Sequence, residues 1–342
     1  MFHLANRFGT VFRFPFTVWL CLVLAVSLLT GCGSNQAQRA ESSEQPQSVS
    51  TAADTSATGA NTPASSGERT VKDELGHEIT VPAEPKRVFA PYLEDSLLKL
   101  GIKPVVQWSN GNMAHAYLQE ELKDVPKLDF SGGLPSPEVI MSYNPDLIIL
   151  HTATYAANGT YENYAKIAPT YVFQNASGDV EKSLVTLGEL LGKSAEADQA
   201  LKAYRQKVQE AKEKLDQAVG GKKVAIMRFA AKGVSLMGAN YLCGNVVHQQ
   251  LGVGKSKLVE NANSANVTLE TLSNLDADYI FVINAYGQGT QRMKEMTESS
   301  IWKSIPAVKQ GHVYEVNDEY WLGSGLIAYE KIIDDTVKLL AK

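Results

Sequence analysis

Cysteine, histidine clusters and arginine are all scarce in this chain. Its 342 residues include 3 cysteines and 6 histidines. Cys21 and Cys32 lie in and just after an apolar N-terminal run, so only Cys243 falls in the body of the chain. A fold with one cysteine has no intrachain disulfide, and Cys243 reads as a small buried side chain. The histidines are scattered, and no two stand at metal-ligand spacing. The net charge is −5, with Lys, Asp and Glu mixed along the chain, and no basic block occurs. That excludes a nucleic-acid binder. Beyond residue 70 the only arginines are Arg87, Arg205, Arg228 and Arg292. No nucleophile, base and orienting group can be assembled, which speaks against catalysis. Two lookalike motifs fail on context. Gly252-Val253-Gly254-Lys255-Ser256 has the tail of a phosphate loop, but Gln249 stands where its first glycine belongs, so a helix end and turn is expected there. Gly323-Ser324-Gly325 lacks the strand, elbow and helix of a hydrolase nucleophile.

The N-terminus carries Arg7 and Arg13 and then an apolar run over residues 18–29, too short for a secure membrane span. Leu29-Thr30-Gly31-Cys32 ends that run and resembles the lipobox of bacterial lipoproteins. The resemblance implies a signal peptide over 1–31 and an acylated Cys32 as the mature N-terminus, holding the protein on the extracytoplasmic face of the membrane. Residues 32–69 are rich in Ser, Ala, Gln and Thr and nearly free of large apolar side chains. Such a composition does not bury enough surface to offset ordering entropy, so a disordered polar tether is expected. Residues 70–342 suit one large or two medium domains.

One long helix organises that remainder. Ala197, Leu201, Tyr204, Val208, Ala211 and Leu215 recur at spacings of four and three, a single apolar stripe, which predicts a helix over 194–219. Ser194 is the expected N-cap and Gly220-Gly221 the stop. On either side of it stand two similar stretches, SPEVIMSYNPDLIIL from Ser136 and TLETLSNLDADYIFV from Thr268. Ser136 matches Thr268, Glu138 matches Glu270, and Asp146 matches Asp278 without gaps. Each reads as a capped short helix, a turn and a buried strand. The repeat predicts two pseudo-symmetric α/β lobes, 70–192 and 222–342, joined by the connecting helix 193–221.

Within the first lobe, a hairpin is expected over 70–81, strands at 87–91, 104–108, 147–150 and 170–173, and helices over 96–100, 113–122 and 179–191. Within the second, strands are expected at 223–227, 234–237, 279–282 and 313–316, and helices over 242–251 and 326–340. Strands alternating with helices predict mostly parallel sheets, and ligands of open α/β sheets bind beyond the carboxyl ends of the strands. Tyr92, Trp108 and the His151, Thr152 and Tyr155 group occupy those ends in the first lobe. Arg228 and Phe229, then Asn284, Tyr286 and Gln288, then Tyr320 and Trp321 occupy them in the second. A charge ending an apolar strand is costly unless it meets an anion, which marks Arg228 as a ligand contact. Tyr92, Trp108, Arg228, Tyr241, Tyr286, Tyr320 and Trp321 form the expected binding set.

With lipobox, tether, two lobes and strut, the chain resembles the substrate-binding proteins of ABC importers of the iron-siderophore and cobalamin type. The likeness spans 70–342 and is carried by LEDSLLKLGIKPV from Leu93, SLVTLGELLGK from Ser183, IWKSIPAVKQGHVYEV from Ile301 and the two repeats. It is nearest to the ferric-hydroxamate-siderophore binders, where tryptophan, tyrosine and arginine line the cleft. The resemblance implies a monomeric carrier, not an enzyme. Its ligand would be a preformed ferric siderophore whose own oxygens hold the iron, so no cofactor or protein metal site is expected. It also implies that Glu138 and Glu270 dock into arginine pockets on the two permease subunits. The strut helix resists large hinge motion, so lobe closure is expected to be small. Another bulky chelate (cobalamin, haem or a catecholate siderophore) and a lipid-anchored envelope enzyme stand as alternatives.

Overall fold

The computed structural model describes residues 67–341. The expected signal peptide, Cys32 and nearly all of the expected tether lie outside the described residues. The first strand, β1 (Glu68–Lys72), pairs antiparallel with β2 (Glu78–Pro82) around Gly76, so the tether boundary set at residue 69 falls inside a strand. Arg69 fastens that strand by donating from Nη2 to the Leu190 carbonyl.

The first lobe holds two parallel sheets. In one, β6 (Leu147–Leu150) lies between β3 (Val88–Phe89) and β7 (Thr170–Val172). In the other, β4 (Gln107–Ser109) pairs with β5 (Lys127–Asp129), a strand the sequence pattern did not suggest. The second lobe is one six-stranded sheet. Its parallel centre is β8 (Lys223–Ala230), β12 (Tyr279–Asn284) and β13 (Val313–Glu315), with β10 (Gly254–Lys255) also parallel to β8. Antiparallel β9 (Gly233–Met237) and β11 (Ser264–Asn266) extend one edge. The expectation of mostly parallel sheets therefore holds for the first lobe's core and the centre of the second, while β9 and β11 make the second sheet mixed.

Strands buried on both faces read as unbroken apolar runs, and alternate residues go to opposite layers. Leu147 and Ile149 of β6 and Val224, Ile226, Phe281 and Ile283 of β8 and β12 share one core with Leu201, Tyr204, Ala211 and Leu215 of the strut helix, Ser194–Val219. Ile148 and Leu150 face a separate core of the first lobe, and Ala225, Met227, Ile280 and Val282 a separate core of the second. The strut thus covers one face of both lobes. At 1.5 Å per residue its 26 residues reach roughly 39 Å. The predicted stripe is the buried stripe, except that Val208 is only partly buried and Val219 joins it. Ser194 opens the helix as its first residue instead of capping it; Lys193 takes the cap position and its Nζ pairs with Glu196 at 2.7 Å.

The two repeats fold alike. The helix Pro137–Ser142 follows Ser136 and leads to β6, and the helix Leu269–Leu272 follows Thr268 and leads to β12. Asp146 accepts from the backbone N–H of Lys86 at 2.7 Å and Arg87 at 2.9 Å, ahead of β3. Asp278 accepts from Lys223 N–H at 2.9 Å, at the start of β8. The registers match as well: Val88 stands opposite Leu147 and Val224 opposite Tyr279.

Two expected helices are irregular. Over 113–122 there is a single 3-10 turn, Ala116–Leu118, continued by Gln119–Leu122. Over 242–251 one turn, Leu242–Gly244, passes into a π-helix, Asn245–Gln250. Gly244 is packed so closely that a Cβ would lie 1.8 Å from the Gly238 carbonyl oxygen. Gly252, with φ +74, ends that segment as the turn reading of the false phosphate loop predicts.

Candidate functional site

The strand ends of both lobes face one cleft. A cavity of about 240 Å³ is lined from the first lobe by Tyr92, Glu94, Asp95, Trp108, His115, Tyr117, His151 and Ser177. The second lobe contributes Tyr241, Leu242, Tyr286, Leu322, Gly323 and Ser324. A neighbouring cavity of about 430 Å³ is lined by Arg228, Ser235, Met237, Asn263 and Ser264, and shares Tyr241, Leu242, Tyr286 and Leu322 with the first. Those four side chains form the partition between the two compartments.

Backbone strain marks this place. Among the described residues five non-glycines have positive φ, and Tyr92 (φ 67), Leu242 (φ 48) and Tyr286 (φ 52) are three of them. Each lines the cleft. Such conformations persist where surrounding structure holds them, commonly at binding sites. Tyr92 is held by rings: Trp108 at 5.4 Å, His151 at 4.5 Å and Tyr155 at 5.8 Å, with the Tyr155 hydroxyl donating to its own at 3.1 Å. His115 stacks on Trp108 at 4.8 Å. Tyr286 is held by its backbone N–H, which donates to the Asp318 carboxylate.

The electrostatics are lopsided. Among the described residues no lysine or arginine lines the smaller cavity, whereas two carboxyls at the start of the helix Glu94–Lys99 do. Burial pushes Glu94 up to about 7, although Trp108 N–H donates to its Oε1 at 2.7 Å. Burial pushes Asp95 up to about 6, opposed by the N–H groups of Ile327 and Ala328, each at 2.9 Å. Asp95 thereby caps the C-terminal helix, Leu326–Leu340, and Gly325 (φ +147) has no room for a Cβ beside it. Burial also lowers His115 and His151 to about 4, so both are neutral at pH 7. In the larger cavity Arg228 is half-buried and has no hydrogen-bond or ion-pair partner among the described residues.

Five of the seven expected binding residues meet here: Tyr92, Trp108, Arg228, Tyr241 and Tyr286. Trp321 does not, which corrects the sequence reading. It is fully buried, set edge-on to Phe281 at 5.1 Å, with its Nε1 donating to Asp335 at 3.0 Å. Tyr320 lies outside the cavity lining too; its hydroxyl donates to the same carboxylate at 2.8 Å, and its ring meets Tyr117 at 6.3 Å. The physical reason is the short helix Asp318–Trp321, which turns Trp321 into the core and delivers Leu322 to the cleft instead. Phe229 is also core, because β8 continues through it to Ala230 and places Arg228 inside the strand, not at its end. Glu94, Asp95, His115 and Tyr117 also line the cleft, beyond the residues expected from the sequence. The pair Glu94-Asp95 has the look of a solvated first helical turn, and nothing local signals its burial.

Glu138 and Glu270 line neither cavity, and each is exposed in the first turn of its repeat helix. Its own backbone N–H and the Ser136 side chain hold Glu138 below the usual carboxylate range. Cys243 is buried, and burial pushes its thiol up to about 12, as suits a packed side chain.

Two α/β lobes on a helical strut, with a cleft between strand ends, define a carrier of the periplasmic binding class. The chain belongs to the Periplasmic binding protein family, whose model matches residues 95–320. It is 28% identical to the iron(3+)-hydroxamate-binding protein FhuD of Bacillus subtilis, across 93% of this chain and 92% of that one. It is 27% identical to the probable siderophore-binding lipoprotein YfiY of the same organism, across 79% of this chain and 87% of that one. Among solved structures, Staphylococcus aureus SirA complexed with staphyloferrin B aligns with TM-score 0.68 at 25% identity, covering 80% of this chain and 98% of that one. Among the described residues no helix is long and apolar enough to cross a membrane.

Proposed function

We propose that this chain is an extracytoplasmic lipoprotein that captures a ferric siderophore of hydroxamate type in the interlobe cleft and delivers it to the permease dimer of an ABC importer. The observation that carries this is Arg228, among the described residues the single arginine of an aromatic-walled cleft, half-buried and without a hydrogen-bond or ion-pair partner. A guanidinium in that state is matched to oxygen acceptors on a ligand, and Tyr92, Trp108, Tyr241 and Tyr286 supply faces for an apolar chelate surface. Catecholate complexes carry several negative charges and call for several cations; two buried carboxyls and one arginine suit a neutral or cationic hydroxamate complex better. The ligand's own oxygens hold the iron, so the protein has no reaction to perform and needs no cofactor. The names of the relatives, siderophore-binding and iron(3+)-hydroxamate-binding, favour the same class.

The test is calorimetric titration of the detergent-purified full chain with ferrioxamine B, ferrichrome, a ferric catecholate, haem and cobalamin. The trihydroxamates should bind saturably and the others weakly or not at all. Arg228→Ala should weaken trihydroxamate binding by about 1.5–3 kcal/mol, as for a lost hydrogen bond to a charged group. Tight binding of haem or cobalamin in preference to every hydroxamate would overturn the reading.

Delivery is assigned to Glu138 and Glu270. Both are exposed and sit at matching places in the two lobes, and neither has an ion-pair partner among the described residues. Exposed apolar neighbours accompany them: Met141 is 59% exposed and Leu269 44% exposed. A rim charge beside apolar surface is what a docking contact requires. Anchoring is assigned to an acylated Cys32, and the carrier is monomeric.

A further inference from the structure

The smaller cavity has a chemistry of its own. Its walls are the rings of Tyr92, Trp108, Tyr117 and Tyr286, and its polar floor is Glu94. Glu94 is 1% exposed, and its Oε2 is buried with no hydrogen-bond partner among the described residues. The other oxygen, Oε1, is already taken by the Trp108 N–H. Asp95 beside it spends both oxygens on the backbone of Ile327 and Ala328 and the Tyr117 hydroxyl. A buried carboxylate oxygen left unpaired is costly, and in native structures it calls for a donor. Neutral His115 and His151 bring no cation, and among the described residues neither lysine nor arginine lines the cavity. An open carboxylate oxygen inside a ring of aromatic faces is the arrangement that receives an organic cation, whose charge lies over the rings and whose N–H meets the oxygen.

Volume separates this compartment from the chelate. About 240 Å³ accommodates an alkylammonium arm but not a whole ferric trihydroxamate, while the Arg228 compartment of about 430 Å³ adjoins it across the shared partition. We infer that the Glu94 cavity is a subsite for a protonated primary amine carried on an arm of the bound chelate, whose oxygen-rich body sits against Arg228. The carrier therefore selects ferric chelates with a free ammonium arm over those without one. This rests on the chelate-carrier reading, and the test keeps the two apart.

Ferrioxamine B is a linear trihydroxamate ending in a primary amine, and N-acetyl-ferrioxamine B has the same chelate with the charge removed. Calorimetry on the detergent-purified full chain should show the free amine binding at least about tenfold tighter, on the order of one salt-bridged hydrogen bond. Glu94→Gln, which keeps the acceptor for Trp108 N–H, should bring the two within threefold by weakening only the amine form. Equal affinities in the wild-type chain would overturn the subsite and leave the carrier reading standing. If neither chelate binds, the carrier reading falls, and pentylammonium alone decides the subsite. Saturable quenching of Trp108 fluorescence by pentylammonium supports it, and no quenching at tens of millimolar overturns it.

Discussion

Glu94, Asp95, His115 and His151 lie within one cleft, and burial shifts them in directions that oppose each other with pH. The two carboxyls move from ordinary values of 4.5 and 3.8 to about 7 and about 6. Their folded forms hold protons that the unfolded chain has lost, so their contribution is most favourable in acid and is lost as pH rises to about 7. The two imidazoles move from 6.5 to about 4. Their contribution is present above 6.5 and is lost as pH falls to about 4. The opposing slopes partly offset, so the wild-type chain should show a shallow stability profile between pH 4 and 7. Removing one side unmasks the other. Glu94→Gln should stabilise the fold by about 1–3 kcal/mol more at pH 8 than at pH 5, since a pKa unit is worth about 1.4 kcal/mol. Urea unfolding of both proteins at the two pH values measures this, and an identical difference at both would show that Glu94 stays ionised across the range.

Among the elements, the repeated helix-turn-strand unit explains the two-lobed plan most directly. Asp146 and Asp278 do the same task in each copy: the aspartate before one strand accepts N–H groups at the start of its parallel neighbour, which sets the register of β3 against β6 and of β8 against β12. Each substitution to alanine leaves those donors without their acceptor and should cost about 1–2 kcal/mol. The two residues lie in different lobes and share no partner, so their effects should add in the double variant. The strut places apolar residues of both lobes in one continuous core, and unfolding should remain a single transition despite the two lobes. Chemical denaturation followed by circular dichroism tests both points. Two resolved transitions, or a double variant no worse than the weaker single one, would mean that the lobes are held otherwise.

At the scale of the whole molecule, the carrier presents one exposed carboxylate from each lobe on structurally equivalent helices. On the docking proposed above, charges so placed would orient the two-lobed body over a dimeric permease and raise the encounter rate, with little effect on the cleft. Glu138→Ala and Glu270→Ala should each leave in vitro chelate affinity unchanged and reduce cellular uptake of radiolabelled ferric chelate. The double variant should be worse than either, and charge reversal to arginine worse still. In the same assay Cys32→Ser should shift the protein out of the membrane fraction and reduce uptake by lowering its effective concentration at the permease. Full uptake by the double alanine variant would leave both glutamates with no role beyond the helix dipole.

The amino-acid sequence by itself determined the lobes, the strut and the repeat, because these rest on periodicity and local chemistry. The stripe from Ala197 to Leu215 needs only a 3.6-residue turn to become a face, and the runs at β6 and β12 need only burial on both sides. It also pointed to Tyr92, Trp108 and Tyr286, which lie at or near strand ends, where an open sheet leaves its crevice, and to Arg228, a charge in an otherwise apolar strand. Only the tertiary structure decided which side chains reach that crevice. Trp321 and Leu322 are neighbours in the chain, yet a single helical turn sends one into the core and the other into the cleft. Glu94 and Asp95 look like an ordinary acidic first turn, yet both are buried: Asp95 meets the start of the C-terminal helix, more than two hundred residues later, and Glu94 meets the backbone of Trp108. Desolvation and hydrogen bonding across such separations depend on the packed whole, and no local pattern carries them.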